Sequence, residues 1–462
     1  MKIIILGAGQ VGRAAAYRLA REEANEVTVV DLDEKLLRHL QDRLDIRTIM
    51  GNGAQPSILA AAGASQADVF IALTNSDELN MVACQIMATI FNKDAIRIAR
   101  IRSNEYTKHS KLFVDEDRAF AVDVTLNPEQ LVTEHISRLI KYPGALQVLD
   151  FADGRVRLVC ARALRGGLLV GQRLHTLREH MPKTEARVAA IYRNGQSIKP
   201  TGDTVIEHGD EVFFLAARSD IRQVMNEIQR LEEPVRRVVI AGGGNIGFKL
   251  AQLLEKESLH VKLIERDGRR SRRISEQLAN TIVLTGDSSD EELLLEENID
   301  NVDVFVSVTN TEEANILSAM LAKRLGAKKV MALINRPAYA ELMENGNLDV
   351  AISPQMITIG SVLAHVRRGD VVQVHSLRRG AAEAIEAIAH GIQGEGRVIG
   401  RKIADIPLPE GATIGALVRG DEVLMAHHDT VVQRDDHVIL FLADRRQIDA
   451  VERLFDVPRR RR

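Results

Sequence analysis

The chain has no tryptophan, only two cysteines and 3% aromatic residues among its 462. Two cysteines can build neither a disulfide framework nor a four-thiolate zinc site. Cys84 and Cys160 lie on separate apolar segments, so both are expected to be buried, in a chain that works in a reducing cytosol. With 45% apolar residues and so few rings, the cores have to be aliphatic, as α/β cores are. Charge of one sign is also missing: 61 basic against 64 acidic residues leave −3, which offers nucleic acid no overall positive field. The closing Arg459 to Arg462 reads as a solvated basic tail. No apolar run approaches the ~18 residues that span a bilayer, and the opening IIIL is one strand long without a signal-peptide pattern. Any membrane role is therefore expected to run through a partner.

What the chain does contain, it contains twice. MKIIILGAGQVGRAAAYRLA at the start returns as RRVVIAGGGNIGFKLAQLL, so that Gly7, Gly9 and Gly12 match Gly242, Gly244 and Gly247. VTVVD ending at Asp31 matches VKLIE ending at Glu265, Gly51 matches Gly286, and Thr74-Asn75 matches Thr309-Asn310. Farther on, DVTLNPEQL from Asp123 answers DVAISPQMI from Asp349, and GDTVIEHGDEVFFL from Gly202 answers HDTVVQRDDHVILF from His428. A two-part unit has been duplicated.

In each first part, short β-branched runs alternate with helical stretches: IIIL, VTVV, TIM, VFIAL and IRIARI in the first copy. This alternation predicts a parallel, doubly wound sheet. The expected fold class is α/β, with two tandem Rossmann-type domains, each followed by a small α+β lobe. The Rossmann domains are placed at residues 1–127 and 235–353, helical arms at 128–147 and 354–370, lobes at 148–231 and 371–457, and the basic tail at 458–462. The arm helices run from Pro128 to Lys141 and from Pro354 to Gly369. Turn signals at Arg193-Asn194-Gly195 and Arg419-Gly420-Asp421 mark hairpins in the lobes. RRGAAEAIEAIAHGIQGEGR, residues 378–397, predicts a helix and then a flexible loop.

A strand that feeds a helix through G-x-G-x-x-G leaves backbone N–H groups at the helix start, free to hold a pyrophosphate. The first glycine makes the turn, the second lets phosphate approach, and the third packs helix on strand. An acid follows at the end of each next strand, Asp31 and Glu265, where a carboxylate accepts ribose hydroxyls and favours NAD or an adenosine nucleotide over NADP. Arg266, beside Glu265, blurs that exclusion in the second copy. No ordered Lys/His/Asp constellation accompanies these loops, so no catalytic residue is assigned. His427, His428 and His437 do not have metal spacing and read as solvated. Asp33, Glu34, Glu291 and Glu292 read as exposed charges at helix starts.

The paired motifs and the phrases LTNSDELNMVACQ, RLIKYPGALQV, TEARVAAIYR, VTNTEEANILSAMLAKRLGAKKVM and HSLRRGAAEAIEAIAHG resemble, over essentially the whole chain, the TrkA family of bacterial Trk potassium uptake systems. The resemblance implies a cytosolic regulatory subunit that binds NAD or NADH and adenine nucleotides such as ATP and ADP. It also implies a homotetrameric ring, peripheral on the inner face of the cell membrane, beneath a membrane potassium-translocating subunit. Carried over position by position, the first site comprises Gly7, Gly9, Gln10, Val11, Gly12 and Asp31, and the second Gly242, Gly244, Asn245, Ile246, Gly247 and Glu265. Thr74-Asn75 and Thr309-Asn310 end the fourth strands, where they either face the ligand or cap the next helix. The family commonly shows Gly-Asp after the third strand. Gly286-Asp287 obeys, which adds Asp287 to the second site, while Gly51-Asn52 departs.

Aligning AIRIARIRSNEY from Ala95 with KKVMALINRPAY from Lys328 sets Arg100 opposite Leu333 and Arg102 opposite Asn335. Arg100 is placed in the first site, where a guanidinium can pair with phosphate oxygens; pairing with a carboxylate at the surface or between subunits is the other reading. Three functions then compete: a nucleotide-gated regulatory subunit, an NAD-dependent oxidoreductase, and a scaffold with vestigial nucleotide sites.

Overall fold

The computed structural model describes residues 1–22, 24–114, 118–182, 184–230, 234–343, 348–367, 370–377, 382–391 and 398–455. The arginine tail and the end of the second arm lie outside them. By contacts the chain divides into two compact units, one formed by Met1–Leu131 with Gln355–Arg367 and the other by the remainder.

In the first unit, six strands form one sheet: β1 (Lys2–Leu6), β2 (Glu26–Asp31), β3 (Arg47–Met50), β4 (Val69–Ala72), β5 (Ile96–Arg100) and β6 (Val124–Leu126). Their order is β3-β2-β1-β4-β5-β6 and every pairing is parallel. The order reverses between β1 and β4, and the glycine loop after β1 opens beside that switch point. Ile4, Leu6, Val30 and Phe70 on one face pack against Leu59, Met81, Cys84 and Met87. Strands buried on both faces explain the unbroken apolar runs in the sequence. The arm helix Pro354–Val366 is counted with this unit, where Arg367 pairs with Glu22 at 3.3 Å.

The second unit holds the other three sheets. Strands β7 (Ala145–Phe151), β8 (Val156–Arg162), β9 (Ala186–Arg193), β10 (Gln196–Ile198) and β11 (Glu211–Ala217) form an antiparallel lobe in the order β10-β9-β11-β8-β7. It begins at Ala145, three residues before the expected Val148. The second Rossmann sheet comprises β12 (Arg237–Ala241), β13 (His260–Glu265), β14 (Ile282–Thr285), β15 (Val304–Ser307), β16 (Lys329–Leu333) and β17 (Val350–Ile352), again parallel in the order β14-β13-β12-β15-β16-β17. The last lobe contains β18 (Val371–Leu377), β19 (Ala382–Ile388), β20 (Ala412–Arg419), β21 (Glu422–Met425) and β22 (His437–Leu442), in the order β18-β19-β22-β20-β21.

Both expected hairpins form: Asn194 and Gly195 have φ of 49° and 82° between β9 and β10, and Gly420, with φ 55°, opens the turn between β20 and β21. One expectation fails. The Ala/Glu stretch expected to be helical is β19, bonded on both sides to β18 and β22. Its even residues, Ala382 and Ala384, enter a core shared with the first lobe, and its odd residues, Ile385 and Ala387, enter the last lobe's own core. Burial of both faces overrides the helix propensity of Ala and Glu. The rest of the expected helix and loop, residues 378–381 and 392–397, lies outside the described residues.

Each lobe is pinned by a bidentate ion pair at equivalent places. Arg193 Nε and Nη2 donate to the two oxygens of buried Asp210, both at 2.9 Å, and Arg419 does the same to Asp436, also at 2.9 Å. The first arm helix, Pro128–Lys141, carries a buried histidine: burial, and the positive charge of Arg138, push His135 down to about 3. The native state therefore holds His135 neutral, whereas the unfolded chain protonates it below about 6.5. Its stability contribution is complete above pH 6.5 and lost as pH falls from there towards 3, at about 1.4 kcal/mol per pH unit. Denaturant midpoints measured from pH 7 to pH 4 are expected to fall less steeply for His135→Leu than for the parent chain; parallel slopes would show that His135 does not titrate with folding.

Candidate functional site

The two glycine loops have the same backbone. Gly7 and Gly242 turn the chain out of β1 and β12 with φ of +104° and +109°, a region L side chains rarely enter. A Cβ on Gly12 would lie 1.8 Å from the Gly7 carbonyl oxygen, and one on Gly247 would lie 1.9 Å from that of Gly242. The helices Gln10–Leu19 and Asn245–Glu255 thus start directly against their strands.

The middle glycines differ in kind. Gly9 and Gly244 are N-cap residues at φ −64° and −69°, open to any residue, and a Cβ on either would meet nothing within 4 Å. Neither backbone strain nor packing calls for glycine there. Neither helix start has a side-chain cap or an acid in its first turn, whereas Asp33, Ser76, Asp267 and Asp290 cap the helices that follow other strands of the two sheets. Uncapped N–H groups under unfilled space fit a pyrophosphate. Gln10-Val11 and Asn245-Ile246 open these helices, with Gln10 and Asn245 exposed.

The acids sit where the second strands end. Asp31 accepts hydrogen bonds from Ala8 N–H and, at 2.8 Å, from Asp33 N–H. Glu265 accepts from Gly243 N–H at 2.9 Å and Asp267 N–H at 2.8 Å. Each carboxylate clamps the glycine loop to the turn beyond its strand, and its remaining lone pairs are suited to ribose hydroxyls. The extra methylene of Glu265 is matched by a lost methyl: a Cβ on Gly243 would be 2.9 Å from Glu265 Oε2 and 2.6 Å from Ile274 Cδ1.

Thr74 and Thr309 turn inward. Thr74 Oγ1 donates to Asn80 Oδ1 at 2.7 Å, Thr309 Oγ1 to Asn315 Oδ1 at 2.6 Å, and the backbone N–H of each threonine bonds the same oxygen. Asn80 Nδ2 donates to the Arg100 carbonyl at 2.9 Å and Asn315 Nδ2 to that of Leu333 at 3.1 Å. These buried asparagines tie the ends of the fourth and fifth strands together, and the sequence reading missed them. Their signal was an asparagine six residues after the threonine in both copies. The helix cap in the first copy is Ser76, not Thr74. Asn75 and Asn310 are exposed, and the Asn75 carbonyl accepts from Arg102.

Asn52 and Asp287 hold the same turn, their Oδ1 atoms accepting from the backbone N–H two residues on, at 2.9 Å each. The two copies therefore differ here in charge and not in turn geometry. Arg100 Nη2 lies 3.1 Å from Glu129 Oε1 in a partly buried ion pair, with Leu333 buried at the equivalent place. Asp77 accepts from the N–H groups of Arg102 and Ser103, at 2.9 Å each. His437 lies against Glu386, 2.5 Å away, and among the described residues no cluster of three His, Cys, Asp or Glu could hold a metal. Both cysteines are buried, and burial pushes the Cys84 thiol far up.

Residues 3–118 and 238–354 match the TrkA-N domain family, and residues 163–229 and 393–456 the TrkA-C domain family. The chain is 58% identical over 457 residues to the Trk system potassium uptake protein TrkA of Halomonas elongata, covering 99% of both chains. It is 56% identical over 455 residues to that of Vibrio alginolyticus, covering 98% of both. Among solved structures, the GsuK RCK domain is similar with a TM-score of 0.61 at 16% identity, covering 98% of this chain and 94% of that one. The GsuK channel bound to NAD gives 0.61 at 16% identity, covering 98% of this chain and 78% of that one. At such identity the likeness is one of fold.

The matched sizes at the second acid are testable. Gly243→Ala should destabilise the chain by about 1–3 kcal/mol through overpacking, and adding Glu265→Asp, which restores the first copy's Ala8 and Asp31 pairing, should recover part of the loss. Unfolding midpoints of the two single variants and the double variant check this; strictly additive losses would show that the two positions are not coupled.

Proposed function

The chain belongs to the TrkA family of Trk-system potassium uptake proteins, and from that premise we propose that it is the nucleotide-sensing regulatory subunit of a membrane potassium transporter. The observation that carries the reading is the unfilled space over Gly9 and Gly244, each flanked by a glycine that makes the turn and a glycine that packs the helix. The N–H groups at the starts of Gln10–Leu19 and Asn245–Glu255 would hold the pyrophosphate of NAD or NADH, or the phosphates of ATP or ADP. Asp31 and Glu265 would orient the ribose. A bound dinucleotide would bring the two negative charges of its pyrophosphate to these N–H groups. The same fold in the GsuK channel bound to NAD supports NAD as the first ligand to try.

The regulatory step needs no chemistry. A ligand that meets two arrangements of the chain's compact units with unequal affinity shifts their ratio by that inequality, and tenfold corresponds to about 1.4 kcal/mol. A potassium-translocating partner in the membrane would read the shift. A ring of four copies on the inner face of the membrane is the assembly we assign, because that is what the resemblance to the TrkA family implies. No described helix is long and apolar enough to cross a bilayer. The oxidoreductase alternative is set aside because the family is one of regulatory potassium uptake proteins.

Calorimetric titration of the full chain with NADH, NAD, ATP and ADP tests the sites. Gly9→Asp is expected to abolish binding at the first and Gly244→Asp at the second, each adding a carboxylate where phosphate would rest. Unchanged affinity in a folded variant removes that site. For Arg100, exchange of Glu129 for a phosphate predicts that Arg100→Leu weakens ATP about tenfold while ADP and NAD lose less. Equal losses for all three would leave Arg100 as the partner of Glu129 only.

A further inference from the structure

The two sites share a backbone, yet their ribose edges carry different charge. Leu32 follows the first acid and Arg266 the second. Each acid leads to a helix capped by an aspartate, Asp33 before Glu34–Gln41 and Asp267 before Gly268–Ser275, so the positions correspond one to one. Lys35, Leu36, Arg38 and His39 in the first copy become Arg269, Arg270, Arg272 and Arg273 in the second. Glu34, which pairs with Arg38 at 2.6 Å, becomes Gly268, so Arg272 has lost the equivalent partner. Arg266, Arg269, Arg270, Arg272 and Arg273 are all exposed, and among the described residues no ion pair ties any of them to a carboxylate. The Asp267 carboxyl accepts the backbone N–H of Arg270 at 2.8 Å, which holds it below its ordinary range, and Arg269 and Arg270 stand in the first turn of the helix that Asp267 caps two residues after Glu265.

The acids differ in the opposite sense. Asp31 is half-buried, whereas Glu265 is only 8% exposed, drawn under the loop into the space Gly243 leaves. In both acids each carboxylate oxygen takes one backbone N–H, so burial and not bonding separates them. The charge that a ligand's ribose meets is therefore set by the acid in the first site and by arginines in the second. A carboxylate repels a phosphate on that ribose, whereas a guanidinium pairs with it.

We propose that the second site selects dinucleotides whose adenosine ribose carries a phosphate, the NADP class, with Arg266, Arg269 and Arg270 as the specificity-determining residues, while the first site takes the unphosphorylated class. This rests on the reading of the second glycine loop as a nucleotide site. The test is calorimetry on full-length Gly9→Asp, which keeps the second site alone, titrated with NADPH and NADH. NADPH is expected to bind tighter by on the order of 10-fold, the worth of one charge-assisted contact. Adding Arg266→Leu, Arg269→Lys and Arg270→Leu, which installs the first site's residues, should reduce that ratio to about one, chiefly by weakening NADPH. NADH binding at least as tightly as NADPH in Gly9→Asp, or equal losses of both in the arginine variant, would overturn the proposal and leave the arginines a solvated face. Binding of neither nucleotide would overturn the reading of the second loop itself.

Discussion

A methyl group on Gly12 would sit 1.8 Å from the carbonyl oxygen of Gly7, and the same clash recurs between Gly247 and Gly242. No side chain fits that approach, and the geometry of both glycine loops follows from it. With the helix start pressed against the strand end, the first N–H groups of the helix point beyond the sheet's edge, beside the reversal in strand order. The acid on the neighbouring strand can then reach the loop and hold it, as Asp31 holds Ala8 and Glu265 holds Gly243. On the other side of the reversal, Asn80 and Asn315 lock the fourth strand to the fifth through two backbone carbonyls each. The sheet edge is tied by hydrogen bonds on both sides of the space it leaves open.

Duplication preserved that frame and let its charge drift. Arg100, paired with Glu129 at one fifth strand, corresponds in the alignment to Leu333 at the other, and a leucine after one acid corresponds to an arginine after the other. Each exchange leaves the backbone in place, because the positions lie outside the glycine contacts. Two glycine loops on one frame with different charge are what the proposed sensing of two ligand classes calls for. A single ligand bound equally at both would need no such divergence.

Much of this was legible in the sequence because it rests on local chemistry. The glycines, the acids, the hairpin turns and the fifth-strand alignment all carry their signal within a few residues. What escaped notice depends on distant partners. β19 is rich in alanine and glutamate and reads as helix, yet it pairs with strands on both sides, and buried Glu386 accepts Ala152 N–H across to the first lobe at 2.9 Å. β6 and β17, three residues each, gave no periodicity of their own and are strands only because β5 and β16 offer an edge. Asn80 and Asn315 looked like ordinary polar positions on a helix until the strand ends they join were in view.

The central claim is that occupancy of the two glycine-loop sites controls a potassium-conducting partner. Potassium flux through the membrane partner, reconstituted in vesicles with the full chain added outside, tests it most directly when NADH, NAD, ATP and ADP are supplied in turn. The account predicts that flux differs among these ligands with the native chain and becomes indifferent to all of them with the Gly9→Asp, Gly244→Asp double variant, which still binds the partner. Flux that responds to nucleotides equally with both proteins would contradict it.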